Sequence, residues 1–101
     1  MSKARSWNIE HGPTRVVHCK QARYDVYIGR PSKWGNPFFI PEYGSRAFVI
    51  QRYRDWIQTR PELLAALGEI RGKVLGCWCK PEACHGDVLA ELADALSPTS
   101  L

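Results

Sequence analysis

The residues best suited to chemistry lie in one short stretch near the carboxyl end, GCWCKPEACHGD at positions 76–87. If this stretch begins as a strand, Cys77 and Cys79 lie on the same face, because alternate side chains of a strand share a face. A turn at Lys-Pro then brings Cys84 and His85 to the start of a helix. Three sulfurs and one imidazole would therefore lie together, which is a set of ligands that zinc accepts.

Zinc bound by Cys77, Cys79, Cys84 and His85 is one interpretation, and it predicts a non-enzymatic, zinc-stabilised interaction module. The spacing argues against it, since structural zinc sites usually use C-x(2–4)-C and this stretch has C-x-C. A buried packing role for Cys77 and Cys79 is another interpretation, with Asp87 only offsetting the helix dipole.

A third interpretation is a catalytic or ligand-binding helix start. Unpaired amides at the N-terminus of a helix bind anions, and a thiol there has a lowered pKa. Cys84 is then the candidate nucleophile, His85 the candidate acid or base, and Asp87 a group that orients the imidazole or binds a sugar hydroxyl. The three residues are our candidate catalytic set.

A second dense stretch, GRPSKWGNPF at positions 29–38, combines basic, aromatic and turn residues. A guanidinium at Arg30 and an ammonium at Lys33 could hold phosphate, Trp34 could stack on a base, and Asn36 could read a base edge or hold the loop together. The candidate ligand-binding residues are Arg30, Ser32, Lys33, Trp34 and Asn36. In the alternative interpretation, Trp34 simply packs beneath the loop.

The elements that must position these stretches follow from local patterns. β-prone residues predict strands at 14–19, 25–29 and 73–79. Ser45 is a good N-cap for a helix that ends near Thr59, and Pro61 suits the first turn of another that Gly72 would end. A last helix starts within 84–87 and carries its apolar residues on one face.

The predicted order is β-β-loop-α-α-β-α, which belongs to the α/β class. We expect a small mixed sheet with helices packed on it, in a Rossmann-like order. Six residues separate the first two strands, which permits a hairpin. The connection from the second strand to the third is long enough for a parallel crossover.

Length and composition limit the possibilities further. The chain has 101 residues, which is one domain: we expect it at 14–96, with a flexible arm at 1–13 and a tail at 97–101. Fourteen Lys and Arg against ten Asp and Glu leave a net charge of +4, consistent with an anionic partner. No apolar run approaches the ~20 residues that cross a bilayer, and no secretion signal is visible. We therefore expect a cytoplasmic protein without a membrane partner.

Both stretches together resemble a family of small uncharacterised domains found in bacteria and their phages. The resemblance rests on VVH at 16–18, YDVYIGRPSKWGNPF at 24–38 and CWCKPEACHGDVL at 77–89, and it covers about 14–96. It implies that both stretches carry the family's signature residues. It also implies a bacterial or phage-infected cell and a context of nucleotide metabolism, nucleic-acid metabolism or host conflict.

These observations lead to one main hypothesis. A right-handed crossover would bring Arg30 and His85 to one pocket at the carboxyl edge of the sheet, where α/β proteins bind ligands. The pocket would take a nucleotide, another nucleobase-containing ligand or a nucleic-acid end, and it could catalyse transfer or hydrolysis. The alternatives are the zinc-stabilised nucleic-acid or protein interaction module and a phage effector that binds one host protein.

Overall fold

The computed structural model describes residues 13–38, 40, 42 and 44–96, so nearly all of the predicted arm and the whole predicted tail lie outside the described residues. The element order within this part of the chain agrees with the predicted one. The elements are β1 Arg15–His18, β2 Val26–Tyr27, α1 Arg46–Ile57, α2 Pro61–Ala66 with a 3₁₀ turn at Leu67–Glu69, β3 Val74–Cys77 and α3 His85–Asp94.

The three strands form one parallel sheet in the order β1-β3-β2. Val16 and Val26 both pair with Leu75, from opposite sides of β3. The α/β class is therefore confirmed, but the sheet is parallel and not mixed in direction. The hairpin that the short connection permitted does not form, because β3 is inserted between β1 and β2.

Residues 19–25, which we call the crossing segment, carry the chain from the end of β1 to the start of β2. The amide of Asp25 donates to the carbonyl of Val74, and its carboxylate accepts from the Val74 amide. The ring of Tyr24 lies over Gly76, where a Cβ atom would be 2.6 Å from the ring carbon Cγ. Gly76 is thus required by the close passage of this segment across β3.

Local signals account for the helix boundaries. The Ser45 hydroxyl accepts from the amide of Phe48 at 3.2 Å and caps α1, as predicted. Gly72 has a φ of +76°, a conformation that suits glycine, and it follows the 3₁₀ turn. Val49, Tyr53 and Ile57 lie on the buried face of α1, at the helical spacing that the sequence showed.

The core lies between the helices and the face of β3 that carries Leu75 and Cys77. α3 approaches the sheet closely at Gly86, where a Cβ would lie 2.7 Å from Ile28 Cδ1 and 3.0 Å from Val16. This close approach holds the start of α3 against the strand ends. Within the described residues, every helix is too short or too polar to cross a membrane.

Candidate functional site

A cavity of about 220 Å³ opens where β2 and β3 end, the edge at which parallel α/β sheets bind ligands. It separates two segments. One is the loop that follows β2, residues 29–38; the other, which we call the turn 77–85, runs from the last residue of β3 to the first residue of α3. The first turns of α1 also border it. Its lining comprises Gly29, Arg30, Asn36, Phe38, Ile40, Arg46, Val49, Ile50, Cys77, Trp78, Cys79, Ala83, Cys84 and His85.

The loop 29–38 is held in shape by its own polar groups. Arg30 Nη1 donates to the carbonyl of Asn36 at 2.6 Å. The buried Asn36 side chain accepts from the amide of Phe38 at 2.9 Å and donates to the carbonyl of Val49 at 3.3 Å. Of the two roles predicted for Asn36, these contacts favour that of holding the loop together. Arg30 is exposed and borders the cavity, as expected.

Three predicted ligand-binding residues of this loop lie outside the cavity lining. Trp34 is 3% exposed, and its carbonyl accepts from the hydroxyl of Tyr53 at 2.7 Å, so its ring belongs to the core and cannot stack on a base. Lys33 forms an exposed ion pair with Glu69 at 3.0 Å. The Ser32 hydroxyl is buried and has no hydrogen-bond partner among the described residues. The stacking role predicted for Trp34 is therefore wrong.

The turn 77–85 ends in a capping box at the start of α3. Cys84 Sγ accepts from the amide of Gly86 at 3.1 Å, and the carboxylate of Asp87 accepts from the amide of Cys84 at 3.0 Å. Asp87 also pairs with Lys80 at 2.7 Å. Two amides that we expected to bind an anion are thus satisfied within the helix, and Asp87 caps α3 instead of contributing to the cavity.

The sulfurs of Cys77 and Cys84 are in contact, and the thiol of Cys79 interacts with both. Cys84 Sγ donates to Cys77 Sγ at 3.1 Å, and both residues are buried. Hydrogen bonds from Cys77 and then from Cys84 lower the pKa of Cys79, and the neighbouring Arg46 lowers it further. The pKa of Cys84 is raised, first by its hydrogen bonds with Cys77 and Cys79 and then by burial. The buried Cys84 thiol, bonded to Cys77, is therefore disfavoured as the predicted nucleophile, and Cys79 is the thiol whose pKa is lowered.

The imidazole of His85 is buried beside the thiols. Burial lowers its pKa, the nearby charge of Arg30 lowers it too, and a hydrogen bond to Ile28 opposes these effects. Nε2 lies 2.8 Å from the carbonyl of Ile28, and because a carbonyl can only accept, Nε2 carries the proton. The neutral ring therefore has its lone pair on Nδ1, which leaves that atom to accept a proton or bind a metal.

Cys77, Cys84 and His85 could hold a metal ion, because one ligand atom from each lies within 4.8 Å of the other two. Two sulfurs and a nitrogen form a set typical of zinc. Metal-binding histidines almost always donate their other ring N–H to a carbonyl or carboxylate, as His85 does to Ile28. Cys79, the fourth residue of the predicted zinc set, lies outside this 4.8 Å cluster but interacts with both other thiols.

Sequence reasoning missed two residues of this site. Arg46 is not among the predicted site residues, yet it lines the cavity, donates to the carbonyl of Ala83 at 3.1 Å and lies beside Cys79. Trp78 is not among the predicted site residues either, yet it borders the cavity and is 54% exposed. The signal for Arg46 was its place in the first turn of α1, directly after the long loop.

Fold and site together define a small α/β domain with a cavity at the carboxyl edge of a parallel sheet, lined in part by Arg30 and Arg46. The chain belongs to the family described as a domain of unknown function (DUF4326), whose model matches residues 14–95. This membership confirms the resemblance to an uncharacterised family. No solved structure matches the chain.

Two viral relatives are similar to this chain. The "Uncharacterized protein R718" of Acanthamoeba polyphaga mimivirus is 37% identical over 86 residues, which cover 67% of this chain and 65% of that protein. The "Uncharacterized 12.4 kDa protein in nrdA-td intergenic region" of Enterobacteria phage T4 is 38% identical over 86 residues, which cover 81% and 79%. The match thus spans just under two thirds of the mimivirus protein's length.

Proposed function

We propose that the cavity binds a nucleoside phosphate, free or as part of a nucleic acid. The observation that carries this proposal is the pair of guanidinium groups, Arg30 and Arg46, that border one cavity from different elements. Guanidinium groups bind phosphate oxygens in a two-pronged way. The remaining lining is largely apolar and includes Phe38, Ile40 and Trp78, which suits a nucleobase better than a bare inorganic anion.

The position of the two arginines supports this proposal. Each donates to a carbonyl of a cavity-bordering segment, Arg30 to Asn36 and Arg46 to Ala83. These bonds limit the conformations of both side chains, so that less entropy is lost when an anion binds. His85 also lines this cavity, and Nδ1 is the acceptor atom of its neutral ring.

The test is calorimetric titration with nucleoside monophosphates, with the matching nucleosides and inorganic phosphate as separate titrants. Arg30→Ala and Arg46→Ala should each weaken nucleotide binding by about 10- to 150-fold, since a hydrogen bond to a charged group contributes about 1.5–3 kcal/mol. Arg54→Ala is the matched control, because Arg54 lies on the same helix as Arg46 but pairs with Glu91. Binding that Arg46→Ala and Arg54→Ala affect equally would contradict the proposal.

We infer a second candidate function from the thiols: a zinc ion bound by Cys77, Cys84 and His85, with Cys79 as the fourth ligand. The observation in its favour is the 4.8 Å cluster of ligand atoms, with the Nε2 proton of His85 committed to Ile28. Zinc here would stabilise the start of α3 and one side of the cavity. It would make the domain a zinc-stabilised binding module. His85 Nδ1 would then bind the metal and not the nucleotide, whose phosphate Arg30 and Arg46 would still hold.

Elemental analysis of purified protein tests the zinc candidate. We expect about one zinc per chain, lost in Cys77→Ser and Cys84→Ser. Cys19→Ser should keep the metal, since Cys19 lies in the crossing segment and not in the thiol cluster. If zinc-supplemented wild type and Cys77→Ser both contain no metal, the zinc candidate is wrong. Selective alkylation of Cys79 by iodoacetamide would then favour thiol chemistry in the cavity.

A further inference from the structure

One large aromatic side chain at the mouth of the cavity is not used by the core. Trp78 is 54% exposed and directly follows the last residue of β3. Its Nε1 donates to the hydroxyl of Tyr27 at 2.8 Å, and the ring of His18 meets it edge-on at 5.7 Å between centroids. The indole is thus held in place although more than half of it is open to solvent. This is the condition of a preorganised stacking surface.

A cation lies beside this indole, and a second belongs to the neighbouring crossing segment. The ammonium of Lys20 lies 5.6 Å from the ring centroid, and the exposed Arg23 belongs to the same crossing segment. The one carboxylate of this segment, that of Asp25, accepts from the Val74 amide. An exposed aromatic ring beside cations is the arrangement with which proteins bind single-stranded nucleic acid, by stacking on bases and attracting phosphates.

The volume of the cavity indicates whether part of the ligand must lie outside it, next to Trp78. Sites for drug-sized ligands measure about 300–1,000 Å³, whereas this cavity measures about 220 Å³. It therefore accommodates only part of a nucleotide-sized ligand, and the rest must lie outside its mouth. Trp78 borders that mouth, and the crossing segment with Lys20 lies beside Trp78.

We propose that Trp78 is a base-stacking residue for single-stranded nucleic acid. One nucleotide of the strand has its phosphate at Arg30 and Arg46, a base stacks on Trp78, and the adjoining backbone runs along the crossing segment past Lys20. This inference rests on the proposed function of the cavity and narrows the ligand from a nucleoside phosphate to a strand. Trp78 then takes the role that the sequence had suggested for Trp34.

Fluorescence anisotropy with labelled twelve-residue oligothymidylate and oligouridylate tests this inference, with the corresponding mononucleotides as competitors. Wild type should bind at least one oligomer about tenfold or more tightly than its mononucleotide. Trp78→Ala should weaken oligomer binding by about 5- to 150-fold, the range for one stacked base, and Trp78→Phe should restore much of the loss. Lys20→Gln should reduce the slope of the logarithm of affinity against the logarithm of salt concentration by about one.

Phe48→Ala is the matched control, because Phe48 is 50% exposed but does not line the cavity. Equal affinity for oligomer and mononucleotide would overturn the strand inference and leave the nucleotide proposal standing. So would oligomer binding that Trp78→Ala and Phe48→Ala affect equally. Oligomer binding that depends on Trp78 but not on Arg30 or Arg46 would support the stacking surface and contradict the proposed cavity. If neither ligand binds, both proposals are wrong.

Discussion

The two segments that border the cavity are alike in sequence character but differ in what their side chains do. Each follows a parallel strand and contains a proline after a basic residue and one tryptophan. In the loop 29–38, Trp34 is buried and the amide of Asn36 bonds to the protein itself. In the turn 77–85, the thiols, His85 and Trp78 all border the cavity. The density of unusual residues in the loop therefore reflects its construction, whereas the turn carries most of the candidate chemistry.

The two tryptophans offer the largest test of this comparison. Trp34→Ala should lower the free energy of unfolding by about 3–5 kcal/mol, the usual loss for a buried tryptophan, because Trp34 is 3% exposed. Trp78→Ala should lower it by less than about 1 kcal/mol, since Trp78 lies mostly outside the core. Urea denaturation of both variants measures the difference, and equal losses would contradict the division of roles.

Asn36→Ala should give the next largest loss of stability, about 2 kcal/mol. The substitution removes the partner of the Val49 carbonyl and that of the Phe38 amide at a buried position. Ser32→Ala is the control in the same loop and should change the free energy of unfolding by no more than about 0.5 kcal/mol, since its hydroxyl has no partner among the described residues. Urea titration compares the two. A larger loss in Ser32→Ala than in Asn36→Ala would refute this account of the loop.

Asp87→Ala should lower the free energy of unfolding by about 1 kcal/mol, the usual effect of removing a helix cap. Nucleotide affinity should change by less than about twofold, because this carboxylate bonds to the Cys84 amide and to Lys80 and does not line the cavity. Thermal denaturation and calorimetric titration measure the two effects. A loss of ligand binding without a loss of stability would return Asp87 to the catalytic set.

Lys33→Gln should have the smallest effect, less than about 0.5 kcal/mol on stability, because its ion pair with Glu69 is exposed. Nucleotide affinity should also stay within about twofold of wild type in a calorimetric titration, since Lys33 lies outside the cavity lining. Arg30→Ala is the comparison within the same loop. If Lys33→Gln weakens nucleotide binding as much as Arg30→Ala, the loop contributes more to the ligand than we infer.

Much of the fold could be predicted because its signals are local. Ser45 caps α1, Gly72 adopts a positive φ, and Cys84 begins α3, as the sequence pattern indicated. The order of strands was harder to predict. The connection from β1 to β2 is short enough for a hairpin, and its use as a crossing over β3 depends on Tyr24 fitting against Gly76.

The candidate site divides in the same way. The expectation that Arg30 and His85 would border one cavity agrees with the structure, since both follow strand ends on one edge of the sheet. The structure favours Cys79 over Cys84 as the reactive thiol, because the Cys84 thiol is buried and bonded to Cys77. The pKa of Cys84 is raised by hydrogen bonds with Cys77 and Cys79. Alternation along the predicted strand placed Cys77 and Cys79 on one face but did not give their hydrogen bonds with Cys84.

The sequence by itself determined the elements, the residue types at the sheet edge and the family resemblance, because caps, periodicity and motifs are properties of neighbours in the chain. Only the tertiary structure decided which tryptophan is exposed, which thiols are buried and which arginine reaches the cavity. These outcomes depend on contacts between distant residues, such as that of Tyr53 with Trp34 and that of Arg46 with Ala83. The burial of a side chain and its distance to a partner decide these outcomes. Both depend on how the folded chain packs and not on its local sequence.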